Sequence, residues 1–392
     1  MNTSAPTTSP RIQSLKASIM ERRGSFLAEV NPFSCTAALA LASGNGKSRV
    51  QVRASYLHEL VKLARIEIEA DWTLAGQHLP TAHMGLQEPE LDDARHREQL
   101  EQLGIPADKI EAVRDCVKQW QNPPRCGVGM EGPESPVGEG TWDDWRKVFW
   151  SWGWTENHSI RDYAKVIRMG FGGIRREIEQ ALAGADRAAP DYAQGENFWL
   201  AGLDICDAGI LLGRRYAQEA RRLADLADSP REKERLEGIA QRCSRVPAQG
   251  ARTLAEAVQS LWLAHILTCG EDGINANSLG RLDQILYPCF AADLAAGPSD
   301  RQGAVELMEE LACRLYLDYD VQAITLGGVN REGQDAANDL SYAILDATAN
   351  LGFVRDLSVR LHGESPPAFV QRASELIARG GGIPFLFNDE CY

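Results

Sequence analysis

The stretch from Val321 to Phe387 constrains this chain most, because apolar runs of strand length alternate there with helical patterns of a dozen or more residues. The spacing predicts strands at Val321–Leu326, Leu357–His362 and Ile383–Phe387, with helices over Asp335–Asn350 and Pro366–Arg379 between them. Ser365 is placed to cap the second helix, Pro366 suits its first position, and Gly380–Gly382 end it. Strands joined by helices run parallel, and right-handed crossovers put the loop after each strand on one rim. Functional groups of parallel α/β folds collect on that rim. Here it carries Gly327, Gly328 and Asn330, then His362, then Asn388, Asp389 and Glu390.

Along the middle strand, Ser358, Arg360 and His362 share one face, while Leu357, Val359 and Leu361 share the other. An arginine on an inward face requires an anion, either a substrate carboxylate or a structural Asp or Glu. Asp389 and Glu390 suit a divalent ion or an acid–base pair, although adjacent carboxylates in a loop more often serve as solvated or capping groups. The sequence stops just after the third strand, which leaves an apolar parallel strand at an open edge. The expectation is that more polypeptide follows Tyr392.

Upstream the pattern is helical. With 392 residues the chain has room for two or three domains, or for one large barrel with additions. Residues 1–10 have little to bury and read as a disordered tail, 11–190 as a helical N-terminal part, and 191–392 as helices followed by the α/β part. Asn122–Gly140 is rich in Pro and Gly and reads as a long irregular loop. Trp199–Ala227 has helical spacing with many small residues, and Thr253 with Glu256 forms a capping box at the head of a second apolar helix.

Hydrophobic residues make 44% of the chain and charged residues 24%, as in a soluble globular protein. A formal net charge of -14 argues against nucleic acid or anionic lipid as partner. The apolar stretch Cys35–Ala42 is far shorter than the roughly 20 residues that span a bilayer, so no membrane segment is expected. The 9 cysteines form no Cys-x-x-Cys pair and read as reduced, cytoplasmic thiols. Gly46-Lys47-Ser48 lacks the first glycine of a phosphate loop, and Gly170–Gly173 reads as close helix packing. Neither cysteine nor histidine spacing suggests a metal site. His265 lies on an apolar helix face and reads as a core residue, whereas His158, at a helix start, suits a ligand oxygen.

Five ordered blocks carry a resemblance. They are Arg252–Gln259, Ser278–Gln284 with Tyr287-Pro288, Leu326-Gly327-Gly328 with Gly333–Ser341, Leu357–His362, and Pro384–Glu390. Together they resemble the glycyl radical enzymes related to pyruvate formate-lyase, clearly from Asn157 to Tyr392 and more loosely over Arg53–Gly76. The resemblance implies an α/β fold, the first half of a ten-stranded barrel surrounded by many helices, in a cytoplasmic homodimer of anaerobic metabolism. It implies no bound cofactor. A glycyl radical is installed after translation by a radical S-adenosylmethionine activating enzyme, and it oxidises a loop cysteine to a thiyl that attacks the substrate.

By the same resemblance the radical glycine and cysteine fall outside these 392 residues, and Cys391 is a bystander. No catalytic residue is therefore assigned, and this stretch alone is expected to be inactive. The implied substrate is a small polar metabolite, handled by carbon–carbon cleavage, acyl transfer or dehydratase-type elimination. His158 matches a histidine that holds a substrate oxygen in hydroxyl-eliminating members, while Asn275-Ala276 replaces their His-Ser. His158, Asn275, Ser278, Arg360, His362 and Asn388 are the candidate substrate-binding residues. Two rival readings are a non-catalytic truncated paralogue that binds a small ligand or a full-length subunit, and a metal-dependent barrel lyase using Asp389 and Glu390.

Overall fold

The computed structural model describes residues 8–22, 38, 41–42, 47–79, 98, 101–102, 160–272, 277–297, 300–317, 322–353 and 356–391. His158, Asn275 and the expected loop Asn122–Gly140 lie outside them. The helical body contains α1 (Pro10–Arg22), α2 (Arg49–Leu63), α3 (Tyr163–Gly184), α4 (Tyr192–Ala224), α5 (Pro230–Arg245), α6 (Leu254–Asp272), α7 (Leu282–Ala296) and α8 (Arg301–Leu317). The α/β part follows as β1 (Ile324–Gly327), α9 (Asp339–Leu351), β2 (Leu357–Leu361), α10 (Pro367–Ala378) and β3 (Phe385–Asn388), then a 3-10 turn at Asp389–Cys391. Among the described residues no helix is long and apolar enough to cross a membrane.

The α/β alternation is as the spacing predicts, and the strands are parallel in the order β1-β2-β3. The boundaries shift for local reasons. β2 keeps its expected start at Leu357, after Asp356 at φ 44, whereas β1 pairs only from Ile324, opposite Leu357. α9 opens at Asp339 because the Asn338 side chain accepts from Leu340 N and Ser341 N. Ser365 does not cap α10, since its hydroxyl accepts from His362 N and Pro366 is the N-cap. β3 starts after Pro384, which has no N–H for a ladder.

Two isolated bridges widen the sheet. Ile160 pairs parallel with Ser278, and Gly280 pairs parallel with Ile324. Five segments therefore lie side by side in the order Ile160, Ser278–Gly280, β1, β2, β3. The expected barrel is not seen among the described residues, where the sheet is open. Leu326 and Val359 are buried in the core, and the other face carries the row Thr325–Ser358–Phe385.

The helices hold this sheet from behind. α6 packs against α3, α7, α8 and α4, and its residues from Leu261 to Leu267 are all buried. A helix apolar all round is a core helix, so the single apolar face read from its first turns understates its position. The Thr253 cap forms as expected, with Glu256 N donating to Thr253 Oγ1, but the Glu256 carboxylate returns to Arg252 N. Close packing at Gly170–Gly173 is also real, because Phe171 N and Gly172 N donate to Pro247 O and Ala248 O. α4 begins seven residues before the expected Trp199, since no proline interrupts the helical stretch from Tyr192. Ser48 is the N-cap of α2 and Lys47 donates to Ala42 O and Ser55 Oγ, which gives both residues structural work.

Candidate functional site

The rim at the C-terminal ends of β1–β3 is built on one tight turn. Gly327 and Gly328 have φ 67 and φ 79, in the left-handed region that glycine occupies without penalty. The block Gly280–Gln284 grips this turn from both sides. Arg281 donates to Gly327 O at 2.7 Å and Val329 O at 3.0 Å, while the Asp283 carboxylate accepts from Gly327 N at 2.8 Å and Ser341 Oγ at 2.6 Å. Gln284 donates to Ala336 O at 2.6 Å, and Asn338 donates to Asp283 O. Burial pushes the Asp283 carboxyl up, against the pull of Ser341 and Gly327.

Arg360 obtains its anion from within the protein. Its Nε donates to Asp389 Oδ1 at 2.7 Å, and Val329 N donates to Asp389 Oδ2 at 3.0 Å. Burial alone would raise the Asp389 carboxyl, but the Arg360 guanidinium and the Val329 N–H hold it below the ordinary carboxylate range. The carboxylate therefore clamps the turn after β1 to β2. Glu390 accepts from Gly363 N at 2.8 Å, and Asn388 Oδ1 accepts from Glu390 N at 3.0 Å. Both carboxylates are thus tied into the rim scaffold, in keeping with the capping reading.

His362 is oriented on both sides. Glu364 N donates to Nδ1 at 3.3 Å, and Nε2 lies 3.0 Å from Asp335 Oδ1. An imidazole held in this way ties the loop after β1 to the end of β2. Arg360, by contrast, has Nη1 and Nη2 without a hydrogen bond among the described residues.

Ser278 lies on the far side of β1, between Ile160 and β1, and its hydroxyl accepts from Ala323 N at 3.3 Å. Behind it is a buried polar cluster of Tyr163, His265, Cys269, Asn277 and Gln322. Burial and the neighbouring His78 push His265 down to about 3, so its ring is neutral. The expectation that His265 is a satisfied core residue agrees with these contacts. Of the six candidate residues, Arg360, His362 and Asn388 come together, and Ser278 stands apart from them across β1.

Sequence reasoning missed Asp335, Arg281 and Asp283 as site-building residues, although all three lie inside the blocks that carry the resemblance. Gln322 gave no local signal, because its partner is in α6. Among the described residues no group of three or more His, Cys, Asp or Glu is arranged to hold a metal ion. A separate cavity of about 590 Å³ lies between α2, α3, α4 and α6, with Leu57, Phe171, Ile178 and Leu267 in its largely apolar wall.

Comparison with known proteins gives a consistent result. Residues 151–392 match the family described as pyruvate formate lyase-like. The isethionate sulfite-lyase of Nitratidesulfovibrio vulgaris is 34% identical over 250 residues, covering 59% of this chain and 30% of that protein. The trans-4-hydroxy-L-proline dehydratase of Clostridioides difficile is 32% identical over 246 residues, covering 57% of this chain and 31% of that protein. Among solved structures, the glycerol-bound B12-independent glycerol dehydratase of Clostridium butyricum superposes with a TM-score of 0.77 at 25% identity. That match covers 100% of this chain and 52% of the dehydratase. The chain therefore spans about half the length of the dehydratase and less of these curated relatives.

Proposed function

The chain belongs to the pyruvate formate lyase-like family of glycyl radical enzymes, and from that premise we propose that it forms part of the substrate-handling half of a glycyl radical lyase or dehydratase. The observation that carries this reading is the parallel row Ile160, Ser278–Gly280, β1, β2, β3, with Thr325, Ser358 and Arg360 on the uncovered face of β1 and β2 and a prebuilt rim. On this reading the row is half of a ten-stranded barrel. The substrate is a small polar metabolite, in keeping with relatives named for isethionate, hydroxyproline and glycerol.

In this proposal the radical glycine and thiyl cysteine belong to sequence outside these 392 residues, and a radical S-adenosylmethionine enzyme installs the radical. The radical supplies hydrogen-atom abstraction. This chain's residues bind and orient: Ser278, Asn275 and His158 are assigned to a substrate oxygen, while Arg360, His362 and Asn388 shape the rim. Elimination is favoured over acyl transfer because the relatives compared above are a sulfite-lyase and dehydratases. The working protein is proposed to be a cytoplasmic homodimer.

Thermal unfolding of this chain against isethionate, glycerol, 1,2-propanediol and trans-4-hydroxy-L-proline tests the pocket. One compound should raise Tm saturably, and Ser278→Ala should abolish the rise. Anaerobic activation of the full polypeptide, followed by electron paramagnetic resonance, should then give a glycyl radical signal. A flat thermal response to every compound together with no radical signal overturns the proposal.

A further inference from the structure

His265 meets α3 and the entry to β1 directly, and reaches the segment that carries Ser278 through Cys269. It sits in α6 with no exposed surface. Tyr163 Oη, at the head of α3 and three residues beyond Ile160, lies 3.1 Å from its Nδ1. Gln322 Nε2, two residues before β1, lies 3.2 Å from its Nε2. Cys269 Sγ lies 3.5 Å from the same nitrogen, and Asn277 Nδ2 donates to that sulfur at 3.7 Å.

The donors and acceptors fix one pattern. An amide NH2 can only donate, so Gln322 gives His265 Nε2 a proton to accept, and Nδ1–H must donate to the Tyr163 oxygen. Cys269 Sγ borders the same nitrogen, and Asn277 Nδ2 donates to the sulfur. A charged imidazolium has no acceptor nitrogen and would break the pattern at Nε2. The neutral ring therefore connects α3, α6, the Asn277–Gly280 segment and the entry to β1. Those are the elements whose backbones meet at Ile160–Ser278 and at the Ala323 carbonyl, which accepts from Leu279 N at 3.1 Å and Gly280 N at 3.0 Å.

We propose that His265 is a positioning residue that clasps the Asn277–Gly280 segment between α3 and β1 and so sets the place of the Ser278 hydroxyl. The importance of that placement for substrate rests on the lyase reading above, whereas the clasp itself does not. Its dependence on one donor and one acceptor distinguishes it from ordinary core packing. Glutamine offers both groups and should restore the clasp, while leucine fills a similar volume and offers neither.

Hydrogen–deuterium exchange on the 392-residue chain, read by mass spectrometry, tests this without any substrate. His265→Leu should speed exchange about tenfold or more at Leu279, Gly280 and Ala323, with Gly328 in the β1–β2 ladder changed by less than about twofold. His265→Gln should return the first three to within about threefold of wild type. Unchanged exchange in the leucine variant overturns the proposal, as does a rise shared equally with Gly328 or a glutamine variant no better than leucine. If His265→Leu does not fold, Tyr163→Phe carries the test, with the same selective rise expected and no change overturning it. A chain that binds none of the four compounds of the thermal test leaves this result intact, and a failed clasp leaves the lyase reading standing.

Discussion

Gly328 shows how little room a single residue on the rim has. At φ 79, an added Cβ would lie 2.6 Å from Asp389 Oδ2 and 2.9 Å from Arg360 Nε, so alanine meets both backbone strain and a clash with the clamp. Gly328→Ala should lower stability by about 2–4 kcal/mol in urea unfolding. Asp389→Asn removes the charge while keeping the shape, and should cost about 1–3 kcal/mol at pH 7. The sign with pH follows from the depressed carboxyl. Its contribution is full above the unfolded value near 3.9 and is lost as pH falls through the lower folded value. The stability gap between wild type and Asp389→Asn should therefore close below about pH 4. His265 follows the same rule from the other side of its charge. The unfolded ring takes a proton below about 6.5, and the folded ring does so only near 3. Tyr163, His78 and Cys269, the titratable groups facing it, supply no carboxylate to favour the charged form. Urea unfolding should show stability falling by about 1 kcal/mol per pH unit between pH 6 and 4, with this slope absent in His265→Gln.

At the scale of elements, one buried carboxylate joins the N-terminal helix to the body. Glu310 in α8 has no side-chain exposure and accepts from Thr73 N, Thr73 Oγ1, Leu74 N and Arg11. Arg11 also reaches Glu306, and Arg314 stacks over Trp72 at 3.6 Å. Glu310→Gln keeps two acceptor contacts at most and loses the charge opposite Arg11, so it should cost about 2–4 kcal/mol, measured by denaturant unfolding. None of this was legible from the sequence. Arg11 and Glu310 are 299 residues apart, and no periodicity links them. The caps of α6 and α9 were legible to different degrees. Thr253 with Glu256 follows a local rule, whereas Asn338 displaced the start of α9 because the preceding turn is held by Asp283 and Ala336.

At the scale of the whole molecule, β3 is the exposed end of the sheet. Phe385, Leu386 and Phe387 are 50%, 46% and 45% exposed, a dense apolar run on an edge strand. Such an edge templates association. Sedimentation of this chain should show concentration-dependent self-association, reduced by Phe385→Lys with Phe387→Lys.

Local patterning determined the βαβ order, the parallel direction of the strands and the membership of the rim. Hydrophobic period, proline and glycine act over a few residues and can be read in one dimension. Residue order also placed Arg360, His362 and Asn388 on one rim, through the rule that successive parallel strands share an end. Tertiary structure alone decided that Arg360 is answered by Asp389, that His362 is locked between Glu364 and Asp335, and that His265 meets Tyr163 and Gln322 behind Ser278. Each of these is a choice of partner among many chemically equivalent groups. Packing makes that choice, because a hydrogen bond of a few ångströms depends on where whole elements come to rest.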